Sequence, residues 1–396
     1  MKGKKSVIGQ IPKGIWVLGL ISMLMDISSE MIHSLLPIFM LTNLGMSAVA
    51  IGLVEGLAEA TAMLVKVFSG CLSDYFAKRK GLILLGYSLG ALAKPVFALA
   101  SSMGLVLAAK FIDKIGKGIR GAPRDALVAD LAPEKLRGAS FGLRQALDTL
   151  GACFGPLLAS ALLLLWCEDF RMIFWLALVP ALLAVLLVLC GIREAERKPE
   201  KQNGNPVSPQ KLGQLGPACW RVLLIGTALM LARFSEAFLI LRAQQLGIPI
   251  SLVPLVMLAM HCIYALSAYP FGKLADSKNP ATLLIIALGV LFAADLCLAQ
   301  EGHWSIMLAG IACWGIHMGM SQGLLAAMLA NAAPQALRGT AFGCLNLVTG
   351  ASLLVSSLVA GLVWDSYGAS FVFYTGAVFC ITSMLLLVKI NKPLQH

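Results

Sequence analysis

Apolar residues in this chain neither alternate with polar ones nor keep to a single helical stripe. They fill long blocks, with stretches such as "LASALLLLW" and "LVPALLAVLLVLC", separated by short polar breaks. A helix needs about 20 residues to cross the hydrocarbon of a bilayer, so the pattern predicts membrane-spanning helices. Twelve spans are predicted, at 14–41, 47–73, 80–101, 104–131, 138–165, 170–191, 219–245, 250–275, 280–299, 304–331, 339–363 and 370–389. The fold class expected is all-α integral membrane.

The loops orient these spans. Lys2, Lys4, Lys5 and Lys13 precede the first span, Lys78, Arg79 and Lys80 sit in the second loop, and Lys135 and Arg137 in the fourth. Arg193, Arg197, Lys198, Lys201 and Lys211 fill the middle loop, Lys278 the eighth, and Lys389 and Lys392 the tail. The intervening loops "TNLGMS", "SSMG", "LGIPIS", "QEGHW" and "DSYGAS" carry no Lys or Arg, and the fifth has only Arg171. Positive charge concentrates on the cytoplasmic side, so both termini are expected there. The first span is too long for a signal-peptide core and lacks an A-x-A-like cleavage site, which predicts an uncleaved helix.

The chain also repeats itself. "APEKLRGASFG" (132–142) returns as "APQALRGTAFG" (333–343), and "GCLSD" (70–74) returns as "GKLAD" (272–276), at a nearly constant offset. "LGMS" after the first span answers "LGIP" after the seventh. The polar, Pro- and Gly-containing segment 192–218 reads as a cytoplasmic linker. It divides an N-terminal six-helix half (1–191) from a C-terminal one (219–396). Parallel repeats of this kind place a binding site near the membrane midplane.

Composition agrees and excludes other classes. Hydrophobic residues make up 59% and charged ones only 13%, with a mean hydropathy of +0.84, far from a soluble domain at roughly 25% charged. The net charge of +11 lies in loops between spans, so nucleic acid is not a predicted partner. The ten cysteines form no CxxC and no Cys/His metal spacing. No phosphate-binding GxxxxGK[ST], GxSxG or HExxH occurs. No enzyme activity, cofactor or metal is expected. "LGYSLGALA" in the third span reads as a small-residue packing face.

The second loop carries a family signature. "GCLSDYFAKRK" resembles G-x-L-a-D-r-x-G-r-k of the major facilitator superfamily, through Gly70, Leu72 and Asp74, with Lys78 and Arg79 on the basic positions. Ala77 replaces the second glycine and Tyr75 the basic residue after Asp. The copy "GKLADSK" keeps Gly272, Leu274 and Asp276. The resemblance extends over the whole chain and implies alternating access. It gives Asp74 the role of capping a neighbouring helix within a cytoplasmic charge network, with Arg79, Asp130 and Arg137 as partners; Arg338 occupies the matching place in the second half. "GACFGPLLAS" (151–160) resembles the fifth-span motif of the family's drug/proton antiporters, G-x-x-x-G-P-x-x-G-G, through Gly151, Gly155 and Pro156, with Ala159 and Ser160 at the final glycines. Helix packing through small residues accounts for the same pattern without antiport.

The fourth span departs from a plain apolar block. On a helix, Lys110, Lys114, Lys117, Arg120 and Arg124 fall within an arc of about 120°, with Asp113 and Asp125 alongside. An ionised residue at a helix centre costs about 2.5–3.5 kcal/mol on insertion scales, so this face is expected to avoid lipid. The resembling antiporters carry R-x-x-Q-G in this span; Lys114 takes the Arg place, followed by Lys117 and Gly118, and the Gln is missing. Pro123 is expected to kink the helix.

Other spans add charged faces. Asp26, Glu30 and His33 share one side of the first span, and Glu55, Glu59 and Lys66 one side of the second. Lys94 lies in the third, Arg144 and Asp148 pair at i, i+4 in the fifth, and Arg233 and Glu236 at i, i+3 in the seventh. Asp295 lies toward the outer end of the ninth. The C-terminal half otherwise offers His261, Tyr264, Trp314, His317, Gln322 and Asn346. The expected substrate contacts are therefore Lys94, Lys110, Lys114, Lys117, Arg120, Arg124, Arg144, Arg233, His261, Tyr264, Trp314 and His317. The expected proton carriers are Asp26, Glu30, His33, Glu55, Glu59, Asp113, Asp148 and Glu236.

The surplus of intramembrane cations predicts a secondary transporter for a small organic anion, a polycarboxylate, a carboxylate-type metal chelate or a phosphorylated metabolite. Proton coupling, a monomeric state and a bacterial inner membrane are expected. A proton-coupled exporter of hydrophobic or cationic compounds is the alternative, carried by the fifth-span motif and by Asp26 with Glu30. A receptor or scaffold without transport fits poorly, because the loops are too short for an extensive protein interface.

Overall fold

The computed structural model describes residues 10–76, 79–133, 136–165, 169–192, 212–275, 278–302, 304–334 and 337–391; for 70–76 and 390–391 it describes the backbone alone. Among the described residues there is no strand. The helices are α1 (Lys13–His33), α2 (Leu36–Thr42), α3 (Ala48–Phe76), α4 (Arg79–Leu99), α5 (Met103–Leu131), α6 (Arg137–Leu165), α7 (Phe170–Leu176) and α8 (Leu178–Gly191). Then follow α9 (Pro217–Leu231), α10 (Ala237–Gln245), α11 (Pro254–Ala275), α12 (Pro280–Ala299), α13 (Trp304–Ala332), α14 (Arg338–Tyr367) and α15 (Ala369–Asn391).

These helices make the twelve spans. Nine are long and apolar enough to cross a membrane among the described residues. The others are α5, broken in hydropathy by its cations, the short α9 with α10, and α13, whose Trp, His, Ser and Gln residues lower its hydropathy.

Three spans expected to be continuous are instead helix pairs. α1 stops at His33, four residues before Pro37, and α7 stops at Leu176, four before Pro180. A proline ring displaces the carbonyl four residues back and supplies no N–H, which favours both stops without requiring them. Pro95, Pro123, Pro156 and Pro270 sit inside continuous helices. The third break, at 232–236 between α9 and α10, has no proline. Its freed backbone is met by serines of α14: Ser356 Oγ donates to the Arg233 carbonyl (2.9 Å), and the Ser235 N–H donates to Ser357 Oγ (3.1 Å). Non-helical backbone at membrane depth persists only with such partners.

The repeat is visible in the backbone. α6 and α14 start at the equivalent, exposed Arg137 and Arg338. The turns after spans one and seven each hold a glycine at positive φ, Gly45 at 60° and Gly247 at 83°, a conformation that glycine adopts without a Cβ penalty.

The chain forms two compact units. One gathers the residues up to His33 with those from Thr61 to Gly204; the other gathers Ser34–Ala60 with Asn205 onward. In the first, α1 packs along α6 and α4 along α5. Both contacts are made by glycine. A Cβ on Gly151 would meet the Met23 carbonyl at 2.6 Å, and one on Gly155 would meet Glu30 Cβ at 2.6 Å. A Cβ on Gly86 would lie 2.6 Å from the Gly116 carbonyl. The "LGYSLGALA" stretch is thus a packing face.

In the second unit, α2 packs on α10, and the start of α3 lies against α14, with Gly52 facing the Ser357 carbonyl and Gly361 that of Ala48. The Asp365 carboxylate accepts the N–H groups of Ala48 (3.0 Å) and Val49 (2.9 Å) at the start of α3. Buried Arg242 closes the end of α12 by donating to the carbonyls of Leu298, Ala299 and Gln300 and to Ser370 Oγ.

Candidate functional site

The first unit buries a charged network between α1, α4, α5 and α6. Lys94 of α4 has no solvent exposure. Its ammonium donates to Asp113 Oδ1 of α5 (2.9 Å) and to Ser29 Oγ of α1 (3.0 Å). The other Asp113 oxygen lies 3.5 Å from His33 Nε2, and His33 Nδ1 lies 3.7 Å from Glu30 Oε1. One imidazole therefore stands between two carboxylates, and a single acid serves two bases. The i, i+3 step from Glu30 to His33, at the end of α1, sets this geometry.

One to three turns further along α5 lies a second group. Arg124 donates through Nη1 to Ser22 Oγ of α1 (2.9 Å) and through Nε to Asp125 Oδ1 (3.2 Å), and lies 3.8 Å from Asp148 Oδ2. Arg144 of α6 donates to the same Asp148 oxygen (2.7 Å) and stands 3.6 Å from Asp125. Asp148 thus binds two guanidiniums through one oxygen, while its Oδ1 is buried without a hydrogen-bond partner. Arg120 has no acid at ion-pair distance among the described residues; its guanidinium carbon lies 4.7 Å above the ring centre of Tyr87. Asp26 is within electrostatic reach of Asp148, Lys117, Arg120 and Arg124, and Lys66 of Asp125, Arg124, Lys117 and Arg144. Lys110 and Lys114 are buried, and Lys117 is exposed.

In and around this network, among the described residues, the cations are Lys66, Lys94, Lys110, Lys114, Lys117, Arg120, Arg124 and Arg144. They outnumber the acids Asp26, Glu30, Asp113, Asp125 and Asp148. Arg120 Nη1 and Arg144 Nε are buried donors without hydrogen-bond partners. Most buried polar groups are paired, so these two donors are exceptions.

The second unit holds fewer charges. Arg233 and Glu236 flank the span-seven break, 3.5 Å apart. Between them Phe234 packs against Trp314, Phe373 and Phe238, with ring centres at 5.3, 5.6 and 5.7 Å. His317 Nδ1 lies 2.8 Å from the Ala287 carbonyl. A carbonyl only accepts, so this nitrogen carries the proton, which leaves Nε2 as the ring's other polar atom. That Nε2 and Trp314 Nε1 are buried without hydrogen-bond partners. Tyr264 donates to Gln322 Oε1 (3.1 Å), and His261 is half-buried. Asp295 is wholly buried, 3.8 Å from Cys380 Sγ and against Gly376. Glu55, which is buried, and Glu59 belong to the segment that clusters here.

Among the residues expected to gate, Arg79 and Asp130 form an ion pair joining the start of α4 to the end of α5. Arg137 and Arg338 are exposed, and a Cβ on Gly272 would meet open space. Gly70 lies in α3, where only the backbone is described. So does Asp74, and its cap therefore falls outside the described residues, as does Asp276. Sequence reasoning missed Tyr87, Ser22 and Ser29. The available signal was a hydroxyl-bearing aromatic and two serines on otherwise small or apolar helix faces.

Comparison with known proteins agrees with the architecture. The family model described as Major Facilitator Superfamily matches residues 18–241 and 223–396. The chain is 32% identical over 388 residues to an uncharacterized MFS-type transporter of Methanocaldococcus jannaschii, covering 96% of each chain. It is 30% identical to multidrug resistance protein MdtH of Salmonella arizonae over 174 residues, 44% of this chain and 41% of that one. The crystal structure of a nucleoside transporter, NupG, superposes with a TM-score of 0.79 at 13% identity, covering 95% of this chain and 99% of that one; at that identity the likeness concerns the fold. Repeated loop signatures, twelve helical spans and a full-length family match converge: this chain is a multi-pass membrane transporter, not an enzyme, and belongs to the major facilitator superfamily.

Proposed function

We propose that this chain is a secondary active transporter for a small organic anion, working as a monomer by alternating access and coupled to protons. The observation that carries the reading is the excess of cations over acids in the first unit, with Arg120 Nη1 and Arg144 Nε lacking partners. A polycarboxylate, a carboxylate-type metal chelate or a phosphorylated metabolite supplies the missing acceptors. Arginine forks match such groups bidentately.

The ion pairs imply how coupling works. Asp148 holds Arg124 and Arg144 through one oxygen. A proton on Asp148 weakens both attachments and frees the guanidiniums for the anion; the bound anion in turn favours that proton. Such linkage is reciprocal and makes proton and anion travel together. Asp26 lies within electrostatic reach of Asp148, and the Glu30–His33–Asp113 series offers a second carrier. Arg79 with Asp130 serves the cytoplasmic gate, and Arg233 with Glu236 places one charged pair at the span-seven break of the second unit.

A second reading, export of hydrophobic or cationic compounds, is favoured by the partial likeness to the multidrug resistance protein and by Gly151, Gly155 and Pro156. In that case substrate and proton compete for the acids, and binding releases protons. Calorimetric titration of the purified protein separates the two when run in buffers of different ionisation enthalpy. The ligands are citrate, ferric citrate, glycerol 3-phosphate and ethidium. Anion binding with proton uptake supports the proposal. Ethidium binding with proton release, and no anion binding, supports the exporter.

A further inference from the structure

We propose that Tyr87 is a positioning residue that holds Arg120 and Arg124 as a preset pair, tuned to an anionic group with more than one charge. The proposal rests on the anion reading above and deepens it.

Two interactions of one wholly buried side chain carry the inference. The Arg120 guanidinium lies over the Tyr87 ring at 4.7 Å. Close packing of α4 on α5 puts it there: a Cβ on Gly86 would stand 2.7 Å from Arg120 Cβ, and one on Gly90 would stand 3.1 Å from Arg120 Nη1. A ring face attracts the guanidinium charge without acting as a conventional hydrogen-bond acceptor. Arg120 is therefore held without an acid at ion-pair distance among the described residues, and Nη1 stays unpartnered.

The other end of Tyr87 reaches the second arginine. Its hydroxyl shares a hydrogen bond with Ser22 Oγ (3.1 Å), and Ser22 Oγ accepts from Arg124 Nη1 (2.9 Å). One tyrosine thus fixes one arginine by its face and the other through a serine. Arg120 and Arg124 are i, i+4 on α5, which puts both on one side of the helix. Ordering a long side chain in advance removes a cost otherwise met when the ligand binds. A monoanion engages one guanidinium and gains little from the pairing; a polycarboxylate or phosphate dianion engages both.

The substitutions separate the two interactions. Tyr87→Phe keeps the ring and loses the hydroxyl, Ser22→Ala breaks the link to Arg124 alone, and Tyr87→Leu loses everything. The measurement is calorimetric binding of citrate, inorganic phosphate and acetate to the purified full-length protein, with thermal midpoints recorded in parallel. Tyr87→Leu is expected to weaken citrate binding by about three- to thirtyfold, with a smaller loss for acetate. Tyr87→Phe and Ser22→Ala are expected to match each other at a smaller loss. Arg120→Gln should cost much less in Tyr87→Leu than in the wild type, a coupling that general loosening of the fold would not produce. If Tyr87→Leu does not fold, the citrate-to-acetate affinity ratios of Tyr87→Phe and Ser22→Ala decide the question. Wild-type citrate affinity in the folded Tyr87 and Ser22 variants, or additive losses with Arg120→Gln, overturns the assignment and leaves the anion reading intact. A wild type that binds neither citrate nor inorganic phosphate overturns both.

Discussion

Lys94 and Asp113 offer an asymmetry that can be measured. Both side chains are buried, at 0% and 2% exposure, and they meet at 2.9 Å. Removing one partner of a buried pair strands the other charge, at about 3–5 kcal/mol. The two removals are not equivalent here. In Asp113→Asn the ammonium of Lys94 retains only Ser29 Oγ and an amide, so the full range of about 3–5 kcal/mol is expected. In Lys94→Met, Asp113 retains His33 at 3.5 Å, and the imidazole can take a proton and serve as counter-ion. The loss is then nearer that of hydrogen bonds to a charged group, about 1.5–3 kcal/mol. The double variant strands nothing and should be more stable than Asp113→Asn alone, because contacting residues couple non-additively. Adding His33→Ala to Lys94→Met should bring back the larger loss. Denaturant titration in detergent, followed by tryptophan fluorescence, orders the four proteins. A Lys94→Met protein less stable than Asp113→Asn, or simple additivity in the double variant, would refute this assignment of partners.

Three further outcomes are expected. Gly155→Val forces a side chain into the Glu30 Cβ and Ile27 carbonyl of α1, so little folded protein should be recovered by size-exclusion chromatography, while Gly142→Val, in open space, should behave as wild type. Asp365→Ala removes the acceptor of two N–H groups at the start of α3 and should cost about 0.5–2 kcal/mol, read as a lower thermal midpoint; an unchanged midpoint contradicts that role. Arg242→Met leaves the carbonyls of Leu298, Ala299 and Gln300 without their common donor, and its midpoint should fall further than that of Asp365→Ala.

Much of the architecture was legible because hydropathy is a local property. Each apolar block became a span, and the repeated "LRG" runs became the starts of α6 and α14. The helix stops before Pro37 and Pro180 follow from local sterics and were open to reading as well. The break at 232–236 was not, since it depends on Ser356 and Ser357, more than a hundred residues away. The basic stripe was visible in α5 as a helical face, and Arg144 with Asp148 as an i, i+4 pair. Pairings across helices were hidden. Nothing local joins Lys94 to Asp113, or Tyr87 to Arg120 and, through Ser22, to Arg124; they meet because Gly86 and Gly116 bring α4 and α5 together. The grouping of Ser34–Ala60 with the second unit likewise reflects packing on α10 and α14 that composition does not encode.

The central claim is that the guanidiniums of the first unit serve an anion driven by protons. The most direct test is uptake of labelled citrate and labelled glycerol 3-phosphate into proteoliposomes under an imposed pH gradient, for wild type and Arg120→Gln. The account predicts gradient-driven accumulation of at least one of them by the wild type and its loss in Arg120→Gln. Accumulation of neither anion, with gradient-driven movement of ethidium unaffected by Arg120→Gln, would contradict it.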